Sequence, residues 1–221
     1  KRSDQQWYPN LTIVSSVGPF MEGEQKDESW SIVKEKYSDT LVDEHYYTDN
    51  NEMFARYDFY DNYERGTAQV YVGEYAAECQ FIGRYITRNN IWSAIEEAGY
   101  MLGFERNGDV VKMASYAPTF AKINAQSWKI NEIWFDSQSV ALTPNYYVQM
   151  LYSNNYGTKT LNTTLDSDGV FQGATIDEAE QVIYFKIVNS NSTSIEVNLD
   201  VSGFGTVNGA SIQYIRGDSK A

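Results

Sequence analysis

Glu74 closes the apolar stretch "VYVGE", with a glycine before it and a tyrosine after it, at a place where burial makes a charge costly. Acidic side chains at the C-terminal ends of parallel strands are where α/β enzymes keep their reacting groups. A second such segment reads "VDEHYY" and supplies Asp43, Glu44, Tyr46, Tyr47 and the chain's one histidine, His45. A carboxylate, an imidazole and phenols gathered at neighbouring strand ends suit a site for a neutral, polyhydroxylated ligand. Each residue also has a structural reading. Glu74 could be a buried carboxylate paired with an arginine, His45 a satisfied core histidine, and Asp43 or Glu44 a capping or loop-fixing group. One histidine with two acids is too small a set to claim a metal. The single cysteine, Cys79, excludes an internal disulfide and a cysteine-based zinc site, and reads as a buried or half-buried thiol.

These side chains need a scaffold, and four short apolar segments rich in β-branched residues offer one. They are "LTIVSS" (11–16), "TLVDEH" (40–45), "AQVYVGEY" (68–75) and "DVVKMASY" (109–116). Near-continuous apolarity of this kind is expected of parallel strands covered on both faces. Helical patterns precede the last three: "ESWSIVKEKY", "NEMFARYDFYDNYERG" and "NIWSAIEEAGYMLGFERNGD". In the third, Ile91, Ile95, Ala98 and Leu102 share a face, with Asn90 and Gly108 as start and stop signals. Strand and helix alternating at this spacing mean a parallel sheet. No glycine-rich phosphate turn follows the first strand, so a nucleotide fold is poorly supported. A (β/α)8 TIM barrel needs eight strands, and the chain would hold half of one. Past about Gly157 the texture turns rich in Ser, Thr, Asn and Gly. Alternating runs at 181–189, 193–201 and 210–215 there read as an antiparallel β-sandwich region. The expected division is 1–157, partial barrel, and 158–221, sandwich region.

Composition narrows the partners. A net charge of −13 repels a nucleic-acid backbone before contact. No run of residues approaches the length and apolarity of a membrane span. The 18 tyrosines offer flat apolar faces with polar tips, which suit sugar rings as well as ordinary sheet surfaces.

Four motifs in order carry a resemblance: "VDEHYY", "VYVGEYAAE", "GFERNGDVVKMASYAPTFAKIN" and "IWFDSQSVALTPNYYVQMLYSNNYG". Together they resemble the α-L-arabinofuranosidases of glycoside hydrolase family 51, closely up to about Gly157 and more loosely beyond. The resemblance implies a retaining glycosidase on a (β/α)8 barrel with a C-terminal β-sandwich, acting without a cofactor. It implies that Glu74, in the "GEY" motif of the seventh strand, is the nucleophile, and that His45 and Tyr47 of the sixth strand contact substrate. By the family's order the chain starts near the fifth strand. The family's acid/base sits in an Asn-Glu pair ending the fourth strand. The "NE" pairs here, Asn51–Glu52 and Asn131–Glu132, stand elsewhere, so the acid/base is expected outside this chain. Pro118 stands where many bacterial members have a glutamine, and no contact is carried over to it. The implied substrates are arabinose-containing polysaccharides such as arabinan and arabinoxylan, which lie outside the cell and imply a secreted or periplasmic parent. Half a barrel leaves strand edges that invite its missing half or another copy. The rival readings are a non-catalytic carbohydrate-binding or structural module, and a different barrel glycosidase such as a xylanase or β-glycosidase.

Overall fold

From Leu41 to Thr48 every second residue is buried, and that alternation sets how the chain is layered. The computed structural model describes residues 7–37, 39–48, 52–77, 89–127 and 129–217, with the backbone of 80–81 and 84–85. Cys79 and Asn51 lie outside the described residues. The first half runs β1 (Val14–Ser16), α1 (Glu24–Lys36), β2 (Leu41–Thr48), α2 (Glu52–Ala55) and β3 (Gln69–Ala77). The two-residue strands β4 (Gln80–Phe81) and β5 (Arg84–Tyr85) lead to α3 (Ile91–Arg106) and β6 (Val111–Tyr116). Then come β7 (Phe120–Lys122), β8 (Ile133–Phe135), β9 (Val140–Leu142) and α4 (Pro144–Asn154). The last strands are β10 (Lys159–Leu161), β11 (Val170–Asp177) and β12 (Val182–Asn189), followed by a short 3-10 turn at Ser202–Phe204.

β1, β2, β3 and β6 lie side by side in chain order, each pair parallel. The four expected segments are therefore strands of one sheet. Among the described residues one face of it is closed. Val42, Tyr46, Val70, Val72 and Tyr75 pack into the core with Tyr100, Leu102 and Phe104 of α3. On the open side Val14 and Met113 are 44% and 47% exposed, so coverage of both faces, expected from the apolar runs, is not met among the described residues. α3 begins at the expected place: Asn90 Oδ1 accepts from the Ser93 amide at 3.0 Å, and Ser93 Oγ accepts from the Asn90 amide at 3.1 Å. It is buried almost all round because it lies between the parallel sheet and the antiparallel β10–β12 sheet.

Glu44 points to the closed face. Its Oε1 accepts from Trp30 Nε1 at 2.8 Å and Tyr63 OH at 2.9 Å, its Oε2 from Tyr60 OH at 3.2 Å, and Lys26 Nζ lies 3.5 Å away. Burial lowers the Lys26 pKa, against the raising influence of Glu44. A fully buried carboxylate is tolerable because each oxygen is hydrogen-bonded and a cation is near. Of the adjacent acids at 43 and 44, this one is structural.

Two expectations fail. The helix read into "NEMFARYDFYDNYERG" stops at Ala55 and gives way to turns. The carbonyls of Tyr60, Asp61 and Tyr63 turn instead to the Arg65 guanidinium, at 3.3, 2.7 and 2.6 Å. In the C-terminal region β12 matches the run at 181–189, but 193–201 and 210–215 form no strand. A strand needs a hydrogen-bonding neighbour, and none lies beside them among the described residues. Ile195, Leu199, Ile212 and Tyr214 are left exposed. β10, β11 and β12 make a single antiparallel sheet. It meets the rest through a stack of Phe54 on Phe171 at 5.0 Å and an ion pair of Lys186 with Glu105 at 2.7 Å.

Glu97 of α3 holds the end of β3. Its Oε1 accepts from the Ala77 amide at 3.0 Å, and its Oε2 from Asn145 Nδ2 at 2.6 Å. Full burial pushes its pKa from 4.5 to about 8. A carboxyl raised on folding stabilises the fold fully below its unfolded pKa, and that contribution is lost as pH rises through the folded value. Stability should therefore decline between pH 4.5 and about 8. Glu132 is also raised, to about 7, so it contributes in the same direction. Thermal melts across this range should show a flatter profile for Glu97→Gln than for the wild type; parallel profiles would exclude Glu97 as a source.

Candidate active site

β2 and β3 run in register until Glu44 faces Val72, and the next pair is His45 with Glu74. Gly73 is the extra residue, a bulge that re-aims the side chains after it. Without it, alternation would send Glu74 to the closed face beside Val70 and Val72. With it, Glu74 faces the same side as His45. A Cβ on residue 73 would collide with Asp43 Oδ1 and lie 3.1 Å from His45 Nε2, which is why glycine precedes the acid. Ser115 Oγ donates to the Gly73 carbonyl at 2.6 Å and lies 2.8 Å from Tyr71 OH, which ties the bulge to β6.

Glu74, His45 and Tyr47 come together. Tyr47 OH donates to Glu74 Oε2 at 2.6 Å, and His45 Nδ1 lies 3.5 Å from that oxygen. On the far side of the ring, Nε2 is 2.9 Å from Asp43 Oδ2. The Glu74 side chain is 38% exposed. β3 continues three residues beyond it to Ala77, so the acid stands near the strand end and not at it. Glu74 and Tyr47 open on a cleft of about 410 Å³ whose walls include Pro118, Phe120, Gln126 and Asn131. No described lysine or arginine is within ion-pair reach of Glu74, which removes its reading as a buried partner of arginine among the described residues. His45 bridges two carboxylates and is not an apolar core residue.

The second carboxylate of a two-acid mechanism is not at hand in these pairs. Asn131 lines the cleft, but Glu132 is buried and interacts electrostatically with Glu97, Tyr75 and Tyr116. Glu52 begins α2. Among the described residues no group of three or more His, Cys, Asp or Glu side chains could hold a metal ion. Among the described residues no helix is long and apolar enough to cross a membrane. Sequence reasoning overlooked Asp43 as a partner of His45, although the spacing Asp43, His45, Tyr47 is the period-two signal of one strand face. It overlooked Ser115 and Tyr71, whose pairing depends on the register with β6.

An arabinose-bound family 51 α-L-arabinofuranosidase, MgGH51, superposes with a TM-score of 0.72 at 24% identity, over 86% of this chain and 30% of that one. The arabinose complex of the α-L-arabinofuranosidase from Thermotoga maritima gives 0.61 at 15% identity, over 84% and 44%. These likenesses bear on the fold. Among curated relatives, an extracellular exo-α-L-arabinofuranosidase of Streptomyces chartreusis is 38% identical over 172 residues, which is 76% of this chain and 20% of that protein. A probable α-L-arabinofuranosidase A of Aspergillus flavus is 32% identical over 202 residues, 89% of this chain and 29% of that protein. The chain thus spans between a fifth and a third of their length. The model of the α-L-arabinofuranosidase C-terminal domain matches residues 73–221, beginning at the bulge that presents Glu74. That match covers well over half of the chain and takes in the cleft carboxylate, so the chain belongs to the α-L-arabinofuranosidase C-terminal domain family.

Proposed function

We propose that this chain is the C-terminal half of the catalytic barrel of a retaining α-L-arabinofuranosidase, strands five to eight, followed by a sandwich region beginning near Gly157. The observation that carries the reading is the 2.6 Å hydrogen bond from Tyr47 to a half-exposed Glu74 at the mouth of a cleft. Glu74 is the nucleophile. With Tyr47 committed to Oε2, attack on the anomeric carbon falls to Oε1, and a glycosyl–enzyme ester forms as the glycosidic C–O bond breaks. The leaving oxygen takes a proton from an acid that the absent half of the barrel supplies. The same group, now a base, deprotonates the water that hydrolyses the ester and frees Glu74. His45, beside the nucleophile, contacts the sugar.

The substrate is an arabinofuranosyl group at a non-reducing end of arabinan or arabinoxylan. A neutral polymer is compatible with a chain of net charge −13, and secretion of the parent follows from where such polymers lie. The full-length enzyme should release the phenol from an aryl α-L-arabinofuranoside and leave an aryl β-xyloside largely intact. Faster cleavage of the xyloside would point to a different barrel glycosidase. Binding of arabinan with no turnover of either substrate would point to a non-catalytic module.

A further inference from the structure

Building on the assignment of Glu74 as nucleophile, we propose that Asp43 is the positioning residue that fixes the His45 imidazole against it. Asp43, His45 and Tyr47 share one face of β2 because they are two residues apart. Asp43 Oδ2 accepts the proton of His45 Nε2 at 2.9 Å, which turns Nδ1 toward Glu74 Oε2 at 3.5 Å. The proton held on one ring nitrogen decides what the other can offer, so the carboxylate sets both the orientation and the tautomer presented to Glu74 and to the sugar. The second oxygen, Oδ1, is buried and occupies the space that a side chain at position 73 would need. Asp43 and Gly73 are therefore matched. Glycine is required by the carboxylate next to it, and the two hold the imidazole and the nucleophile together across adjacent strands. Asp43 touches neither the sugar nor the bond that breaks. It acts through His45.

The test uses the full-length protein and two readouts. The first is independent of turnover: histidine is labelled with ¹⁵N, and the His45 ring signals are assigned by their loss in His45→Gln. The wild type should show a proton localised on Nε2 and slow to exchange with water. Asp43→Ala should lose that signature, and Asp43→Asn, whose side-chain carbonyl can still accept from Nε2, should keep it. The second readout is kinetic, with an aryl α-L-arabinofuranoside. Asp43→Ala should lower kcat by about 10- to 100-fold, the scale of losing a group that orients a working imidazole, with KM little changed. Asp43→Asn should recover most of that loss. An Ala variant with wild-type ring signals and wild-type kcat overturns the proposal, and so does an Asn variant no better than Ala. An Asp43-dependent ring signal in a protein that hydrolyses no arabinofuranoside would overturn the functional reading and leave the Asp43–His45 pairing standing.

Discussion

Replacing Glu74 by glutamine in the full-length enzyme should reduce turnover by roughly 10⁴-fold or more, the scale of removing a covalent nucleophile, and leave the fold intact. The amide matches the carboxylate in shape, and its oxygen can still accept from Tyr47 OH, which now sits 2.6 Å from Oε2. The bulge at Gly73 and its tie to Ser115 do not depend on the charge. What the amide lacks is the power to attack the anomeric carbon. The loss should therefore fall on kcat, with binding of an unreactive arabinoside retained. A smaller residue sharpens the experiment. Glu74→Ala opens room for an external anion, and azide should restore part of the activity toward a substrate with a good leaving group. The product should be an arabinofuranosyl azide of inverted configuration, because one displacement replaces two. Near-normal turnover by the glutamine variant, or azide rescue without inversion, would place the nucleophile elsewhere.

The parallel sheet was legible because four β-branched runs separated by helical spacing admit few other arrangements. The candidate site was legible in its residue types but not in its geometry. From alternation alone Glu74 falls on the face of Val70 and Val72, the one that closes over the core. A bulge reverses this, and a lone glycine before an acid does not announce a bulge. The resemblance pointed to this strand, and the register explains why Glu74 faces the cleft. Glu44 shows the opposite limit. Next to Asp43 in sequence, it looks like an equal candidate for chemistry. Its role depends on Trp30, Tyr60 and Tyr63 converging from distant segments, and no local pattern records that convergence. The same reasoning covers 193–201 and 210–215. Their alternation is real, but alternation states a preference for an edge and does not supply one.

The 221-residue chain on its own should show no appreciable glycosidase activity and should not behave as a monodisperse monomer. Retaining hydrolysis divides its work between two carboxylates, and general acid assistance alone is worth about 10²- to 10⁴-fold. Glu74 is in the cleft, but Glu132 turns to the core, Glu44 is sealed under Trp30, and Asp43 is committed to His45. The sheet order β1-β2-β3-β6 leaves β1 and β6 as edges, each with a row of backbone groups unpaired on one side among the described residues. Its open face exposes Val14 and Met113, and Lys112 and Ala114 beside Met113 are exposed as well. Unpaired parallel edges next to uncovered apolar side chains favour pairing with another chain over staying solvated. Co-expression with the N-terminal part of the parent should change both properties together, giving a defined complex and turnover of an aryl α-L-arabinofuranoside. Light scattering on the isolated chain and on the complex, with the assay run on the same fractions, reads the two at once. Robust hydrolysis by a monodisperse 25.2 kDa monomer would mean that acid and nucleophile are both within these residues, and the half-barrel reading would fall.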